Sequence, residues 1–296
     1  MAINPNALFG FQNLSDPNPG FWMPTFFNTV GNWQPSAPLT NLQQRFFAYK
    51  TRSVNCDPSN TQFVMNLGVQ QAVLAVVIPR HNMSINATMT VSLYTDAALT
   101  QLVATSTVNV STQFAWGTFP FAHSSWFTGK IDAETARLFP QPAMVLFPTA
   151  QIGQYVKVQL NDPGNANPYI ELQRLFVTPG YQPSVNIVYG AQNSVNDPTI
   201  VTRSLGGADF YDQRAKHRTI ICSIDYLGTD EAMFMVLLNQ QLRLGLSGQF
   251  FFSMYPADPS LFGLTSFVAT MSKLDPVTAA VYGRSGVAFA IEEVVA

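Results

Sequence analysis

The sequence has few charged residues. Asp, Glu, Lys and Arg make up 11% of its 296 residues, against about 25% in an ordinary soluble domain. A surface with so little charge must be covered by uncharged polar side chains or be buried against other subunits. The composition therefore favours a multi-subunit assembly. The 15 basic and 17 acidic residues leave a net charge of −2 and form no basic block that could neutralise a run of phosphates, so we expect no nucleic-acid partner.

Long apolar runs are also missing. The longest, such as residues 72–78 and 232–238, are far shorter than the roughly 20 residues that a helical membrane span needs. We therefore expect no membrane span. The N-terminal residues do not place a positively charged segment ahead of an apolar one, as a secretory signal does. Synthesis in a cytoplasm is the corresponding expectation.

Residues that carry the common catalytic and metal-binding chemistries are scarce. Cys56 and Cys222 lie far apart without a CxxC pattern, so both are expected to pack as small apolar side chains. His81, His123 and His217 show no metal-ligand spacing such as HExxH. The GxSxG, GxxxxGK[ST] and GxGxxG motifs are absent. The sequence therefore predicts a protein that is not an enzyme and that uses no metal and no cofactor.

Carboxylates leave a hydrolase open as an alternative, because a glycosidase needs only two of them facing each other across a cleft. The candidates are Asp132, Glu134, Asp209 and Asp212. Simpler roles are favoured: Asp132 caps a short helix, Glu134 lies in its first turn, and the other two lie in a Gly-rich loop. The loop of residues 162–167 offers oxygen atoms to calcium but has too few acids for a calcium site, so we expect a turn.

Residues 1–48 have the features of an extended arm. Proline, asparagine and glycine are frequent there and suppress regular structure. Large aromatic side chains are frequent as well, and their exposure would favour aggregation. The arm is therefore expected to bury its rings, either on its own domain or against a neighbouring subunit, and the sequence leaves these alternatives equal. The residues assigned to an inter-subunit contact are Phe9, Phe11, Phe21, Trp22, Phe26, Phe27 and Trp33.

Residues 49–183 have the pattern of an antiparallel β-sandwich. Phe63, Met65 and Leu67 alternate with polar residues, which is the period of two of a half-buried strand. Residues 73–78 form a continuous apolar run that is typical of a central strand. Further short strands follow at residues 89–94, 103–110, 155–160 and 169–177, with one short helix expected at residues 132–139.

Residues 184–296 are expected to form a smaller α+β domain in which one helix lies on an antiparallel sheet. The helix begins at Thr229 or Asp230 and stops at Gly245. The same domain carries a dense polar set, which we assign to an ion-paired inter-subunit surface in preference to a solvated loop. Its members are Arg203, Asp212, Arg214 and Arg218, with Lys216 and His217 beside them.

Several segments resemble a known family. Residues 61–68 (TQFVMNLG), 77–84 (VIPRHNMS), 155–160 (YVKVQL) and 169–176 (YIELQRLF) are similar to the galactose-binding-like, discoidin-type jelly roll of tailed-bacteriophage tail proteins. The Arg-rich strand at residues 214–224 and the terminal strand FAIEE at residues 289–293 resemble the C-terminal module of the same proteins.

The resemblance implies a mainly β chain that is a structural component of a phage tail tip or baseplate. Such a protein is expected to be located in the virion tail and to contact other tail proteins and copies of itself, with the copies arranged as a ring. In related jelly rolls, loops at one end can hold sugars, and here Trp116, His123 and Trp126 would supply that site. The alternative function is a carbohydrate-binding module that adsorbs to a glycan on the host surface.

Overall fold

The computed structural model describes residues 3–27, 30–111, 114, 118, 125–131 and 141–295. The expected mainly β, antiparallel chain with a small helix-bearing region is confirmed. The chain divides into two compact units. The first contains Met1–Gln182 and Phe251–Phe267, and the second contains Pro183–Phe250 and Val268–Ala296. The N-terminal 48 residues thus belong to the first unit. The short helix expected at residues 132–139 lies outside the described residues.

The strands of the described chain are numbered in chain order. They are β1 Leu8–Gly10, β2 Thr25–Phe27, β3 Thr51–Arg52, β4 Gln62–Ile78, β5 Arg80–His81, β6 Thr88–Tyr94, β7 Leu102–Asn109, β8 Ala143–Asn161, β9 Glu171–Gln173, β10 Phe176–Thr178, β11 Gln192–Asn196, β12 Ile200–Arg203, β13 Asp209–Asp212, β14 His217–Gly228, β15 Phe250–Ser253, β16 Ser266–Lys273, β17 Thr278–Val281 and β18 Arg284–Glu293. The helices are a 3₁₀-helix Leu39–Gln43, α1 Thr229–Glu231, a π-helix Ala232–Leu244 and α2 Phe262–Thr265.

The main sheet of the first unit has the strand order β10-β4-β8-β6-β7, with β2 also paired to β4. The two segments expected as separate strands at 61–68 and 73–78 form the single long strand β4. No turn separates them; instead the pairing with β8 shifts register between Asn66 and Gln71. Gly68 lies in this shift with a φ of +86°, a conformation that glycine adopts without a steric penalty. The bulge bends β4, so its two halves pair with different neighbours, β2 and β10.

The core of the first unit is built from the alternating faces of these strands. The expected inward residues Phe63, Met65 and Leu67 are confirmed, since all three are fully buried. They join a cluster with Met89, Val91 and Leu93 of β6 and with Val156, Val158 and Leu160 of β8. Each of these sets has the spacing of two that places side chains on one face of a strand. Burial of this shared face stabilises the sandwich.

Most strands of the second unit belong to an antiparallel sheet in which β16, β18, β14 and β11 are neighbours in that order and β17 pairs with β18. The expected helix is present between Thr229 and Gly245, but most of it is a π-helix: the Gly245 N–H donates to the carbonyl of Gln240, five residues earlier, at 3.0 Å. Gly245 ends it with a φ of +60°. In the described part of the chain, no helix combines the length and the hydrophobicity that crossing a membrane requires.

Candidate functional site

The N-terminal aromatic residues pack on the first unit of their own chain. Phe9 and Phe11 are buried. The Phe9 ring lies 5.1 Å from that of Phe252, and its backbone exchanges two hydrogen bonds of 2.8 Å with Tyr181. Trp22 is buried and donates its indole N–H to the backbone oxygen of Asp16 at 2.9 Å. These three rings therefore belong to the core of their own chain.

Of the four remaining rings of the segment, three pack on other rings of the first unit and one is exposed. Phe26 and Trp33 both meet the ring of Phe63 edge-on, with centroids 5.8 Å and 5.9 Å away, and Phe27 packs on Tyr155 at 5.6 Å. Phe21 differs, because 73% of it is exposed. The arm is expected to pack either on its own domain or against a neighbouring subunit. In the single chain it packs on its own unit. An inter-subunit role for these residues stays a prediction.

The charged set of the second unit does not form one surface. Arg218 is buried and ion-paired with Glu293 at 2.7 Å, with each side chain only 10% exposed. Its charge is neutralised inside its own unit, and an inter-subunit role for the charged set stays a prediction. Arg203 pairs with Asp209 at 2.8 Å on the exposed hairpin β12–β13, and Arg214, which follows β13, pairs with Asp212 at 3.1 Å. Asp209 and Asp212 are therefore paired with arginines and do not face each other across a cleft.

Two of the three expected sugar-binding residues, Trp116 and His123, lie outside the described residues, as do the carboxylates Asp132 and Glu134. Trp126 is partly buried in the turn that follows Ser125, next to an exposed Phe127. Within the described ranges, no group of three or more His, Cys, Asp and Glu residues has the arrangement of a metal site. Asp162 accepts hydrogen bonds from Ser84 and Asn165, so the loop at 162–167 is the expected turn.

A three-stranded sheet of the first unit, with the order β3-β9-β5, has two chemically different faces. Arg52 lies directly opposite Glu171, while on the other face His81 and Thr51 both pair with Leu172. Thr51 and Leu172 are buried. Burial lowers the pKa of His81 to about 4, against smaller opposing effects of a backbone hydrogen bond to Gln141 and of the Asp162 charge. The inner face is therefore uncharged at neutral pH.

The outer face of the same sheet centres on the Glu171 carboxylate. One carboxylate oxygen accepts from Lys50 Nζ at 2.8 Å and the other from Arg52 Nε at 2.8 Å. Burial by itself raises the pKa of Glu171, but the hydrogen bonds and charges of Lys50 and Arg52 outweigh it and hold that pKa below the ordinary value. The pair of cations and the carboxylate thus form a fixed array of hydrogen-bonding groups at the surface.

One aromatic ring contacts this array, and two more lie just before Lys50 in the sequence. The Arg52 guanidinium lies 4.9 Å from the centroid of the Tyr169 ring, a cation–π distance. The turn that immediately precedes Lys50 carries Phe46 and Tyr49, which are 70% and 49% exposed. We define the basic-aromatic surface by its exposed rings and the polar groups of the sheet. Its residues are Phe46, Tyr49, Lys50, Arg52, Arg80, Tyr169 and Glu171.

The basic-aromatic surface was not identified from the sequence, although a signal was present. Arg45, Lys50 and Arg52 are three of the chain's 15 basic residues and lie within eight positions, interleaved with Phe46 and Tyr49. Such local density of charge and aromatic residues in a charge-poor chain indicates a binding surface. The partner, Glu171, is more than a hundred positions away and is brought there only by the pairing of β3 with β9.

A second concave feature of the first unit is a groove of about 450 Å³ beside the edge strand β7. Hydroxyl and amide groups of β7 line one side, and apolar side chains line the other. The residues are Ile3, Ser106, Thr107, Val108, Asn109, Val110, Ser111, Met144, Leu146, Pro256, Ala257, Pro259 and Phe262. The lining contains no charged side chain. The basic-aromatic surface therefore offers the more varied set of binding groups.

No protein-family model matches the chain, and no curated protein matches its sequence. Several solved structures are similar to part of it. A mutant lectin-binding domain of lectinolysin complexed with Lewis b is 14% identical, with 56% of this chain and 95% of that chain covered and a TM-score of 0.35. A Streptococcus pneumoniae fucose-binding module is 13% identical, with 56% and 94% covered and a TM-score of 0.34. The family 32 carbohydrate-binding module of C. perfringens NanJ, in complex with galactose, is 12% identical, with 53% and 92% covered and a TM-score of 0.32.

Proposed function

We propose that the chain is a non-enzymatic binding protein whose first unit binds carbohydrate through the basic-aromatic surface. The observation that carries the proposal is the ion-paired Glu171 carboxylate, with two exposed rings in the turn that immediately precedes its partner Lys50. Aromatic rings offer a flat apolar platform for the C–H faces of a sugar ring. Fixed charged groups such as Arg52 and Glu171 can exchange hydrogen bonds with sugar hydroxyls, because both donors and acceptors are present.

The charge of the surface favours an acidic saccharide. Lys50 and Arg52 pair with the single carboxylate of Glu171. Arg80 lies on the same face of the sheet, opposite Gln173, which leaves two net positive charges in a chain whose net charge is −2. A ligand that carries carboxylates or sulfates gains from this local excess. A neutral glycan would stack on the rings but would gain no electrostatic attraction from the excess charge.

The test is isothermal titration calorimetry of the full-length chain with alginate, an acidic polysaccharide, and with dextran, a neutral one. Alginate is expected to bind more tightly, and added salt is expected to weaken its binding because exposed charges are screened. Tyr49→Ala and Arg52→Gln are each expected to weaken alginate binding by about tenfold or more. Tyr189→Ala, which removes an exposed ring of the second unit, is the matched control and should change nothing.

Three results would count against the proposal. Absence of binding to either polysaccharide at millimolar sugar concentrations would contradict carbohydrate binding at this surface. Equal losses in the Tyr49→Ala and Tyr189→Ala variants would indicate nonspecific adsorption to aromatic rings. If Trp126→Ala weakens alginate binding and Tyr49→Ala does not, the site lies in the segment around Trp126, to which the sequence analysis assigns sugar binding.

A second candidate function is favoured by a different observation. The strands β12 and β13 are exposed along their whole length and yet carry large apolar side chains. Isolated two-stranded hairpins are marginal in water, and exposed apolar groups of this kind mark contact surfaces. The exposed apolar side chains of β12 and β13 therefore support a structural protein that assembles with copies of itself. Its place in a phage tail tip or baseplate, and its contacts with other tail proteins, stay predictions from the family resemblance.

A further inference from the structure

The guanidinium of Arg52 is held in place by two different contacts. Its Nε donates to the Glu171 carboxylate at 2.8 Å, and its Cζ lies over the Tyr169 ring, 4.9 Å from the ring centroid. The first contact fixes one edge of the guanidinium plane, and the second lies against its face. An arginine side chain that is ordered before a ligand arrives loses less conformational entropy when the ligand binds. Arg52 is therefore a preorganised hydrogen-bond donor.

The other edge of the same guanidinium is open. Within the part of the chain that the structure describes, no atom accepts a hydrogen bond from Nη1 or Nη2, because the bond to Glu171 uses Nε. Neither Nη atom is buried, and the Arg52 side chain is 38% exposed. The two Nη groups carry four of the five N–H donors of a guanidinium, and one donor of each points in the same direction. We call this pair of parallel donors the Arg52 fork.

The ion pair around the Arg52 fork places its positive groups outward. The side chains of Lys50 and Arg52 are 43% and 38% exposed, whereas that of Glu171 is 14% exposed. These three groups together leave one net positive charge. A singly charged anion at the fork would neutralise it, and the Lys50 ammonium lies on the same carboxylate to add its attraction.

We infer that the Arg52 fork binds an oxyanion of the saccharide, either the carboxylate of a uronic acid or a sulfate ester. Both groups carry one negative charge at neutral pH and present at least two oxygens, which can accept the two parallel N–H bonds of a guanidinium. This inference rests on the proposed function and names the chemical group of the sugar that the basic-aromatic surface recognises.

A fork can be distinguished experimentally from a charge. The ammonium of lysine is a compact point charge and does not offer two parallel donors in one plane. Arg52→Lys therefore keeps the charge of the surface and an ion-pair partner for Glu171, but it removes the bidentate contact. Arg203→Lys makes the same change at an exposed arginine of the second unit and is the matched control.

The test is isothermal titration calorimetry of the full-length chain with short oligosaccharides at one fixed ionic strength. An alginate oligosaccharide is compared with its methyl ester, in which the carboxylates are neutral. A dextran oligosaccharide that carries sulfate esters is compared with the same oligosaccharide without them. Circular dichroism checks that each variant keeps the wild-type β content.

The wild-type chain is expected to bind at least one of the two charged oligosaccharides about tenfold or more tightly than its neutral counterpart, as hydrogen bonds to a charged group do. The charged oligosaccharide with the larger preference identifies the oxyanion. Arg52→Lys is expected to lose most of that preference, and Arg203→Lys is expected to keep all of it.

Two results would overturn this inference and leave carbohydrate binding intact. One is equal binding of the charged and neutral members in both pairs, which would mean that the sugar is held without its oxyanion. This comparison uses the wild-type chain and does not depend on the folding of a variant. The other is a preference that persists unchanged in Arg52→Lys, because a point charge would then suffice. Absence of binding to all four oligosaccharides at millimolar concentrations would overturn the proposed function as well.

Discussion

The ion pair between Arg174 and Asp16 provides a direct test of whether the N-terminal segment belongs to the first unit. Arg174 is 1% exposed, and its guanidinium donates to the Asp16 carboxylate at 2.7 Å and to the backbone oxygen of Gln43 at 3.1 Å. It also lies 4.9 Å from the centroid of the Phe176 ring. Replacing Asp16 with alanine would leave this guanidinium buried without a counter-charge.

The expected loss follows from the geometry. At 2.7 Å and an effective dielectric constant of about 20, the attraction of the two charges is about 6 kcal/mol. The desolvation of both groups offsets part of it, and breaking a buried pair by removing one partner typically lowers the free energy of unfolding by about 3 to 5 kcal/mol. Replacing both partners, as Asp16→Ala with Arg174→Met, is expected to recover much of that loss, since no unpaired charge remains.

The assay is urea denaturation followed by tryptophan fluorescence. Trp22 donates to the backbone oxygen of Asp16 and so reports on the same segment. A loss of 3 to 5 kcal/mol corresponds to a midpoint shift of roughly 1.5 to 2.5 M urea for a slope of about 2 kcal/mol/M. Lys50→Ala removes a half-exposed ion-pair partner and is the control, with an expected loss within about 1 kcal/mol.

A shift in Asp16→Ala no larger than that in Lys50→Ala would refute the reasoning. It would mean that the guanidinium is not buried in the free chain and that the N-terminal segment is not packed on its own unit. The alternative of packing against a neighbouring subunit would then be favoured.

Two further predictions concern stability. His81 has a pKa of about 4 in the folded chain and about 6.5 when unfolded, so the unfolded state takes up the proton first as the pH falls. The free energy of unfolding should therefore decrease by up to about 3 kcal/mol between pH 6.5 and pH 4, and His81→Gln should remove that part of the pH dependence in urea melts. Gly31→Ala should lower the free energy of unfolding by about 2 to 5 kcal/mol, because the new Cβ would lie 1.9 Å from the Gln62 carbonyl oxygen. Gly20→Ala, with a similar φ but open space around it, should lose only about 1 to 2 kcal/mol. Equal losses in the two glycine variants would contradict the steric explanation.

The strands of the sandwich were predictable because their signal is local. Phe63, Met65 and Leu67 alternate within one short segment, and a strand places every second side chain on the same face. The helix between Thr229 and Gly245 was predictable for the same reason, since its start and stop signals adjoin it. Its π-helical hydrogen bonding was not, because local spacing does not distinguish bonds to the fourth and the fifth residue.

The sequence by itself determined the mainly β character, the apolar faces of the strands and the expectation of an assembly, since these depend on composition and on neighbours along the chain. Only the tertiary structure decided that Arg218 is buried against Glu293 and that Arg52 and Glu171 share one surface. It also decided that Phe9 lies in the core while Phe21 is exposed. Each of these depends on pairings between distant segments, and a residue's own neighbours in sequence carry no information about which distant strand lies beside it.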